Sequence, residues 1–399
     1  MNDKLTNQVV DEIAAAIEIP ESSYETAEQR YKDLGNWFGR PESKCYGFDP
    51  HIHPQGSFRL GTAIRPLNAD EKYDLDLTCK LESGVDKLVH TQQQIKELVG
   101  ADVESYRVAR GIKEEKEEKH RCWRLEYADQ LGFHIDIVPC IPESLDHRLL
   151  IKEEMIRAGA ADTLAETVAN LTVNITDNRH VNYQRTSADW SISNPEGYAR
   201  WFESRMKLAT LLLEKRAFEA KAATVDALPV FKWKTPLQRC VQVLKRHRDI
   251  MFADNPEVKP ISIIITTLAA RAYRGEADIG DAMQRVLTDM RGLVNSVKPR
   301  VPNPVHPAED FADKWSTTDG RAKKLEENFW LWLAQAQSDF KVIASSTNVD
   351  FISEQAMEKF GSALNAKEFR RKYGLTTSAV AASPKIHHIT ETPAKPWCR

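Results

Sequence analysis

Apolar residues at Leu5, Val9, Ile13 and Ile17 recur at the spacing of one helix face, which predicts a helix over 4–18. Pro20 interrupts it. The stretch "SSYETAEQRYKDLGNWF" reads as a second helix with a serine cap. The period then changes. In "KYDLDLTCKL" strict alternation sets Tyr73, Leu75, Leu77 and Cys79 on one face and Asp74, Asp76 and Thr78 on the other, as in a half-buried strand. "GADVESYRVARG" and "HRCWRLEYA" read as further strands, and "DQLG" as a hairpin turn. "FHIDIVPC" alternates again, with Phe133, Ile135 and Ile137 opposite His134 and Asp136. The charge run "KEEKEEKHR" between these strands reads as a solvated loop or helix tip.

From Tyr198 onward the period is helical. "TPLQRCVQVLKRHRDIMF" has Thr235 placed as a cap and Pro236 at the first helical position, with an apolar stripe of Leu237, Cys240, Val241, Leu244 and Met251. "KPISIIITTLAARAYRG" predicts a helix from near Pro260 to Gly275, and two more are predicted around 276–297 and 320–341. Residues 376–399 lose periodicity and carry Pro384, Pro393 and Pro396, so a loosely held tail is expected. The pattern gives an α+β chain in three parts: 1–195 with the strands, 196–375 helical, and 376–399 as the tail.

Composition narrows the function classes. The chain has 399 residues, 42% of them hydrophobic, enough for a sizeable core. With 55 basic and 58 acidic residues the net charge is 55 − 58 = −3. That balance excludes coating of nucleic acid by bulk charge. The polar start "MNDKLTNQVVDE" is not a signal peptide, and the longest apolar run, "ISIIITTLAA", is too short for a membrane span. The six scattered cysteines include no CxxC pair and read as reduced thiols of a cytoplasmic protein. A zinc site from His120, Cys122, His134 and Cys140 is not expected, because these residues fall on separate strands without ligand spacing.

The chemistry concentrates in a few places. Asp74 and Asp76 project from one strand face, roughly 6.6 Å apart along the backbone. Charge on a strand inside an apolar run is costly unless it is paired or binds a cation. Two such carboxylates can grip one hard cation or two neighbouring ones, and Asp136 adds a third if its strand lies alongside. In "HPQGSFRLGT", Gly56 lets the backbone approach a phosphate, and the Ser57 hydroxyl with nearby N–H groups can hold its oxygens. The segment lacks the GKS or GKT end of a Walker loop.

Together, "GSFRLGT", "YDLDL" and "FHIDIVP" resemble the signature of DNA polymerase beta-type nucleotidyltransferases. With "SNPEGYARWF", "LQRCVQVLKRHRD", "ISIIITTLAARAY" and "NPVHPAEDFADKW" they are similar to the bacterial cGAS/DncV-like nucleotidyltransferases, the CD-NTases, over most of residues 1–375. The resemblance implies a bilobed fold: a mixed β-sheet catalytic lobe, an α-helical C-terminal lobe, and a cleft between them. It implies that Gln55, Gly56 and Ser57 hold a donor triphosphate and that Asp74, Asp76 and Asp136 hold two Mg²⁺ ions, with Mn²⁺ as a substitute. It further implies that Lys245 and Ser262 reach the triphosphate from the helical lobe. Ser193 and Asn194 are candidates for the nucleobase pocket, although "SNPEG" also reads as a helix cap. Tyr183 and Trp190 are candidates for stacking on a base or for the core.

The activity so implied is synthesis of a cyclic di- or trinucleotide second messenger from ATP and/or GTP with release of pyrophosphate, in anti-phage defence. A downstream effector would respond to the product, and a partner would be bound or joined through the C-terminal tail. No compact His/Cys cluster builds a zinc thumb, so activation by long DNA is not expected. The same aspartates also suit a polymerase beta-fold transferase with a linear product, whether RNA-terminal or on a small molecule. A non-catalytic nucleotide-binding scaffold would have little reason to keep clustered carboxylates.

Overall fold

The computed structural model describes residues 3–68, 71–127, 132–207, 234–362 and 364–375. Two helices open the chain, α1 (Asp3–Ile17) and α2 (Glu21–Phe38). α2 starts after Pro20 without the side-chain cap expected of a serine. The strands follow as β1 (Pro50–Pro54), β2 (Tyr73–Leu81), β3 (Glu117–Glu118), β4 (Trp123–Tyr127), β5 (Phe133–Pro142), β6 (Val173–Ile175) and β7 (Ser191–Ser193). They form one sheet in the order β1-β2-β5-β4-β3, with β6 on the far half of β5 and β7 on β6. β2 and β5 are parallel and the other pairs antiparallel, so the sheet is mixed.

One expected strand is a helix. "GADVESYRVARG" is the C-terminal part of α4 (Gln92–Ala109). Thr91 and Gln94 close a reciprocal capping box at its start. Ile95, Val99, Val103 and Tyr106, spaced three and four residues apart, are buried. Gly100 lies midway along the helix, and the valines that follow it, Val103 and Val108, have β-strand propensity. The charge run is a loop containing the two exposed residues of β3. Of the expected turn at 129–132, only Gly132 lies within the described residues, with φ +47°.

The alternation of β2 and β5 is realised. Leu75, Leu77, Cys79, Ile135 and Ile137 are buried on one face, in a core closed by α2 and α4. The acidic positions lie on the opposite face. Short helices α3 (Gly56–Leu60), α5 (Leu145–Arg157) and α6 (Asp162–Ala169) lie between strands.

After β7 come α7 (195–207), α8 (Pro236–Met251), α9 (Ser262–Ala272), α10 (Ile279–Asp289), the hairpin β8 (Pro302–Asn303) and β9 (His306–Asp310), and α11 (Thr318–Ala322) to α14 (Ala366–Tyr373). α8 begins as expected: Pro236 is in its first turn and Thr235 and Gln238 form a capping box. The helix expected around 276–297 is shorter, and the one around 320–341 is broken at Lys324, whose φ of +53° separates α11 from α12 (Leu325–Ser345). A second core forms around α8 and α9. It also takes in α1, α5 and α6, so the two cores interleave along the chain. The tail 376–399, with Trp397, lies outside the described residues. Among the described residues no helix is long and apolar enough to cross a membrane.

Candidate active site

The register of the sheet assembles the acidic face. Asp76 stands directly opposite Asp136 across the parallel pair, and Asp74 stands opposite His134 one pleat away. Neighbouring strands lie roughly 4.8 Å apart, so the three carboxylates share one patch of one face. Arg124, opposite Asp136 on β4, binds it with two parallel hydrogen bonds of 2.7 Å. Among the described residues the carboxylates of Asp74 and Asp76 have no hydrogen-bond or ion-pair partner.

That arrangement strains the charges. Burial, then the neighbouring Asp74 and Asp136, push Asp76 up to about 7. Asp74 is raised chiefly by burial, against the pull of Arg124. Oxygen donors of this kind, uncompensated on one face, fit a hard divalent cation, which would supply the missing positive charge.

The turn expected to bind phosphate sits against the same carboxylate. Gln55 donates its backbone N–H to the Asp76 carbonyl at 2.8 Å, and Gly56 opens α3 at φ +63°. A Cβ on Gly56 would come within 2.3 Å of Asp76 Oδ2, so only glycine fits. Among the described residues the Ser57 hydroxyl is uncommitted, while its carbonyl accepts the Thr62 N–H at 2.9 Å. The expected turn is therefore a turn that runs straight into a short helix, closed by Gly61 at φ +65°.

The helical lobe reaches this segment through α8. Gln238 donates to the Leu60 carbonyl at 3.0 Å, Gln242 to Ala63 at 2.8 Å and Lys245 to Thr62 at 2.9 Å, and Arg246 donates to Arg65. Lys245 is buried, which rules out an ordinary exposed lysine. Burial first, then Arg248, lower it to about 7, against the pull of Asp249 and Asp76. Ser262 opens α9, and its hydroxyl accepts from Arg248 at 2.8 Å.

The nucleobase candidates divide. Asn194 is buried and spent inside the chain: it accepts from Gly197 N–H at 2.9 Å as the cap of α7, and donates to the Val168 carbonyl and to Thr172. Ser193 is half-buried on β7. Trp190 belongs to the sheet core. Tyr183 is half-buried, its carbonyl accepting from Gln93 N–H.

Four contributors are not legible in the sequence. Arg124 was hidden because its partner depends on strand register. The two glutamines of α8 and Arg59 depend on tertiary contacts; Arg59, on α3, meets Glu203 at 2.6 Å and Glu196 at 3.6 Å on α7. His120, Cys122, His134 and Cys140 form no ligand group among the described residues, where the metal-competent trio is His51, His53 and Glu82. There Lys80 already holds Glu82 at 2.7 Å.

Comparison with known proteins gives the family and the fold. Residues 50–140, from β1 through most of β5, match the family described as cyclic GMP-AMP synthase DncV-like, nucleotidyltransferase domain. A c-di-GMP synthase of Roseivirga ehrenbergii is 29% identical over 308 residues, covering 76% of this chain and 71% of the relative. The cyclic dinucleotide synthase CdnG of Bradyrhizobium diazoefficiens is 26% identical over 329 residues, covering 77% and 69%. Among solved structures, that CD-NTase CdnG in complex with GTP superposes with a TM-score of 0.64 at 20% identity, over 92% of this chain and 99% of that one. The Vibrio cholerae dinucleotide cyclase DncV, solved with ATP, GTP and 5MTHFGLU2, superposes with a TM-score of 0.51 at 14% identity, over 92% and 89%.

Proposed function

We propose that this chain, a DncV-like nucleotidyltransferase, joins two nucleoside triphosphates into a cyclic dinucleotide with release of pyrophosphate. The observation that carries the reading is the in-register pair Asp76 and Asp136, with Asp74 beside them and the Gly56 turn packed on Asp76. The name of the c-di-GMP synthase relative and the GTP in the CdnG complex favour a guanine nucleotide as at least one substrate. Mg²⁺ is the proposed metal, with Mn²⁺ as a substitute. The proposed setting is the cytoplasm and anti-phage defence, with the product acting on a separate effector. The C-terminal tail is proposed as the segment that meets a protein partner.

Each residue then has a role. Gln55, Gly56 and Ser57 orient the donor triphosphate, with backbone N–H groups and the free Ser57 hydroxyl on its oxygens. Lys245 and Ser262 bring a cation and a helix start toward the same phosphates from the helical lobe. Asp74, Asp76 and Asp136 hold the divalent ions, which when bound supply charge neutralisation and an acidified attacking hydroxyl. Asp136 is positioned by Arg124, a hold that a bound divalent ion would have to share or displace. Asn194 fixes the start of α7, and Ser193 beside it reads the base edge. The α8 donors hold the 60–65 segment, so the triphosphate turn is braced before substrate arrives.

The test is incubation of purified protein with labelled ATP and GTP and Mg²⁺. A phosphatase-resistant product with the mass of a cyclic dinucleotide supports the reading. A linear product, or a ring still formed by the Asp74→Ala, Asp76→Ala double variant, overturns it.

A further inference from the structure

Away from the carboxylate face, a cavity of ≈ 510 Å³ opens between the α5–α6 connection, α7, α9 and β8. Met155, Leu164, Trp201 and Pro302 give it apolar walls, and Arg205 and Arg271 also line it. None of the candidate active-site residues is among its walls. The volume is that of an ordinary small-molecule site.

Among the described residues the two arginines lack counter-charges. Arg205 donates through Nε to the Ala270 carbonyl and through Nη2 to Tyr273, both at 2.9 Å. Arg271 donates through Nη2 to the Pro302 carbonyl at 2.8 Å. Among the described residues neither meets a carboxylate. Burial, together with nearby Arg274, lowers Arg205, and burial lowers Arg271. Two half-buried guanidiniums without an anion are a cost that bonds to carbonyls only partly offset. Nη1 of Arg205 and Nε and Nη1 of Arg271 remain as donors with no partner among the described residues.

We propose that this cavity is a second binding site, for a small organic anion whose phosphate or carboxylate lies on Arg205 and Arg271 and whose ring or apolar body lies against Trp201, Leu164 and Pro302. A planar guanidinium suits either head group, and an indole suits a flat body. The alternative is that the arginines only staple the end of α9 and the β8 hairpin.

Thermal unfolding of the full chain with phenyl phosphate, benzoate and neutral benzyl alcohol separates the two. Binding of either anion should raise Tm by about 1–2 °C near ten times its Kd, and benzyl alcohol should not. The shift should vanish in Arg271→Met. It should also vanish in Ser204→Trp, which fills the cavity from an exposed position and leaves both arginines in place. Which anion binds identifies the head group. No shift with either anion, an equal shift with benzyl alcohol, or a shift that survives Ser204→Trp would overturn the proposal.

Discussion

Asp76 and Asp136 face each other in register across two parallel strands, yet among the described residues only Asp136 has a cationic partner, Arg124 at 2.7 Å. Asp76 is left to the repulsion of its neighbours, which with burial raises it to about 7. A carboxylate raised above its unfolded value of 3.8 weakens the metal-free fold as pH rises from about 4 to 7. Asp76→Asn should therefore melt at or above the parent in chelator at pH 7.5, while losing on the order of 10³-fold or more in turnover. Added Mg²⁺ should raise the parent's Tm and leave the variant's unchanged. Calorimetry in EDTA and in Mg²⁺ checks both. A variant less stable than the parent in EDTA would mean that Asp76 is a structural group.

Gly56→Ala should cost stability and activity together, but unequally. The positive φ costs about 1–2 kcal/mol for any Cβ, and the new methyl must also displace the Asp76 carboxylate 2.3 Å away. Activity should fall about 100-fold or more at temperatures where the variant is fully folded. Circular dichroism beside a turnover assay reads the two effects separately.

Lys245→Met should raise KM for the nucleotide about tenfold or more with a small change in Tm. The buried stem is kept and the single bond to the Thr62 carbonyl is lost. Because burial lowers Lys245 to about 7, the free enzyme loses this cation as pH climbs past neutrality. The kcat/KM of the parent should decline above about pH 7, and that limb should be absent in Lys245→Met. A profile with the same alkaline limb in both would assign it to another group.

Glu143 offers a stability test away from the site. Burial works against its ionisation, but Lys87, the Ser144 N–H, Asn174 and His147 outweigh it and hold the carboxyl down at about 2. Its stabilising contribution is full above the ordinary value of 4.5 and is lost as pH falls toward 2. Glu143→Gln should lower Tm at pH 7 and flatten the fall in Tm between pH 5 and 3. An unchanged acid limb would show that other carboxylates control acid unfolding.

Much of the fold and site could be read from local pattern, because the informative residues sit in regular elements. Alternation in "KYDLDL" and "FHIDIV" located both strands and set each strand's aspartates opposite its apolar positions; the parallel pairing that brings all three to one face is a tertiary fact. Thr235 and Pro236 located the start of α8. The helix at 92–109 is illegible in "GADVESYRVARG" alone, because its capping signal, Thr91 with Gln94, precedes that stretch. Arg124, Gln238 and Gln242 were illegible for another reason: a strand partner and a carbonyl from a distant segment are tertiary facts. Asn194 shows the converse. Its sequence supported both a base contact and a cap, and its three hydrogen bonds commit it to the cap.

The most direct test is anomalous diffraction from crystals grown with Mn²⁺ and a nonhydrolysable GTP analogue. The account predicts Mn²⁺ peaks roughly 2.1–2.3 Å from carboxylate oxygens of Asp74, Asp76 and Asp136, with the analogue's phosphates at the Ser57 turn. Mn²⁺ bound only at His51, His53 and Glu82, or phosphates seated away from Ser57, would contradict it.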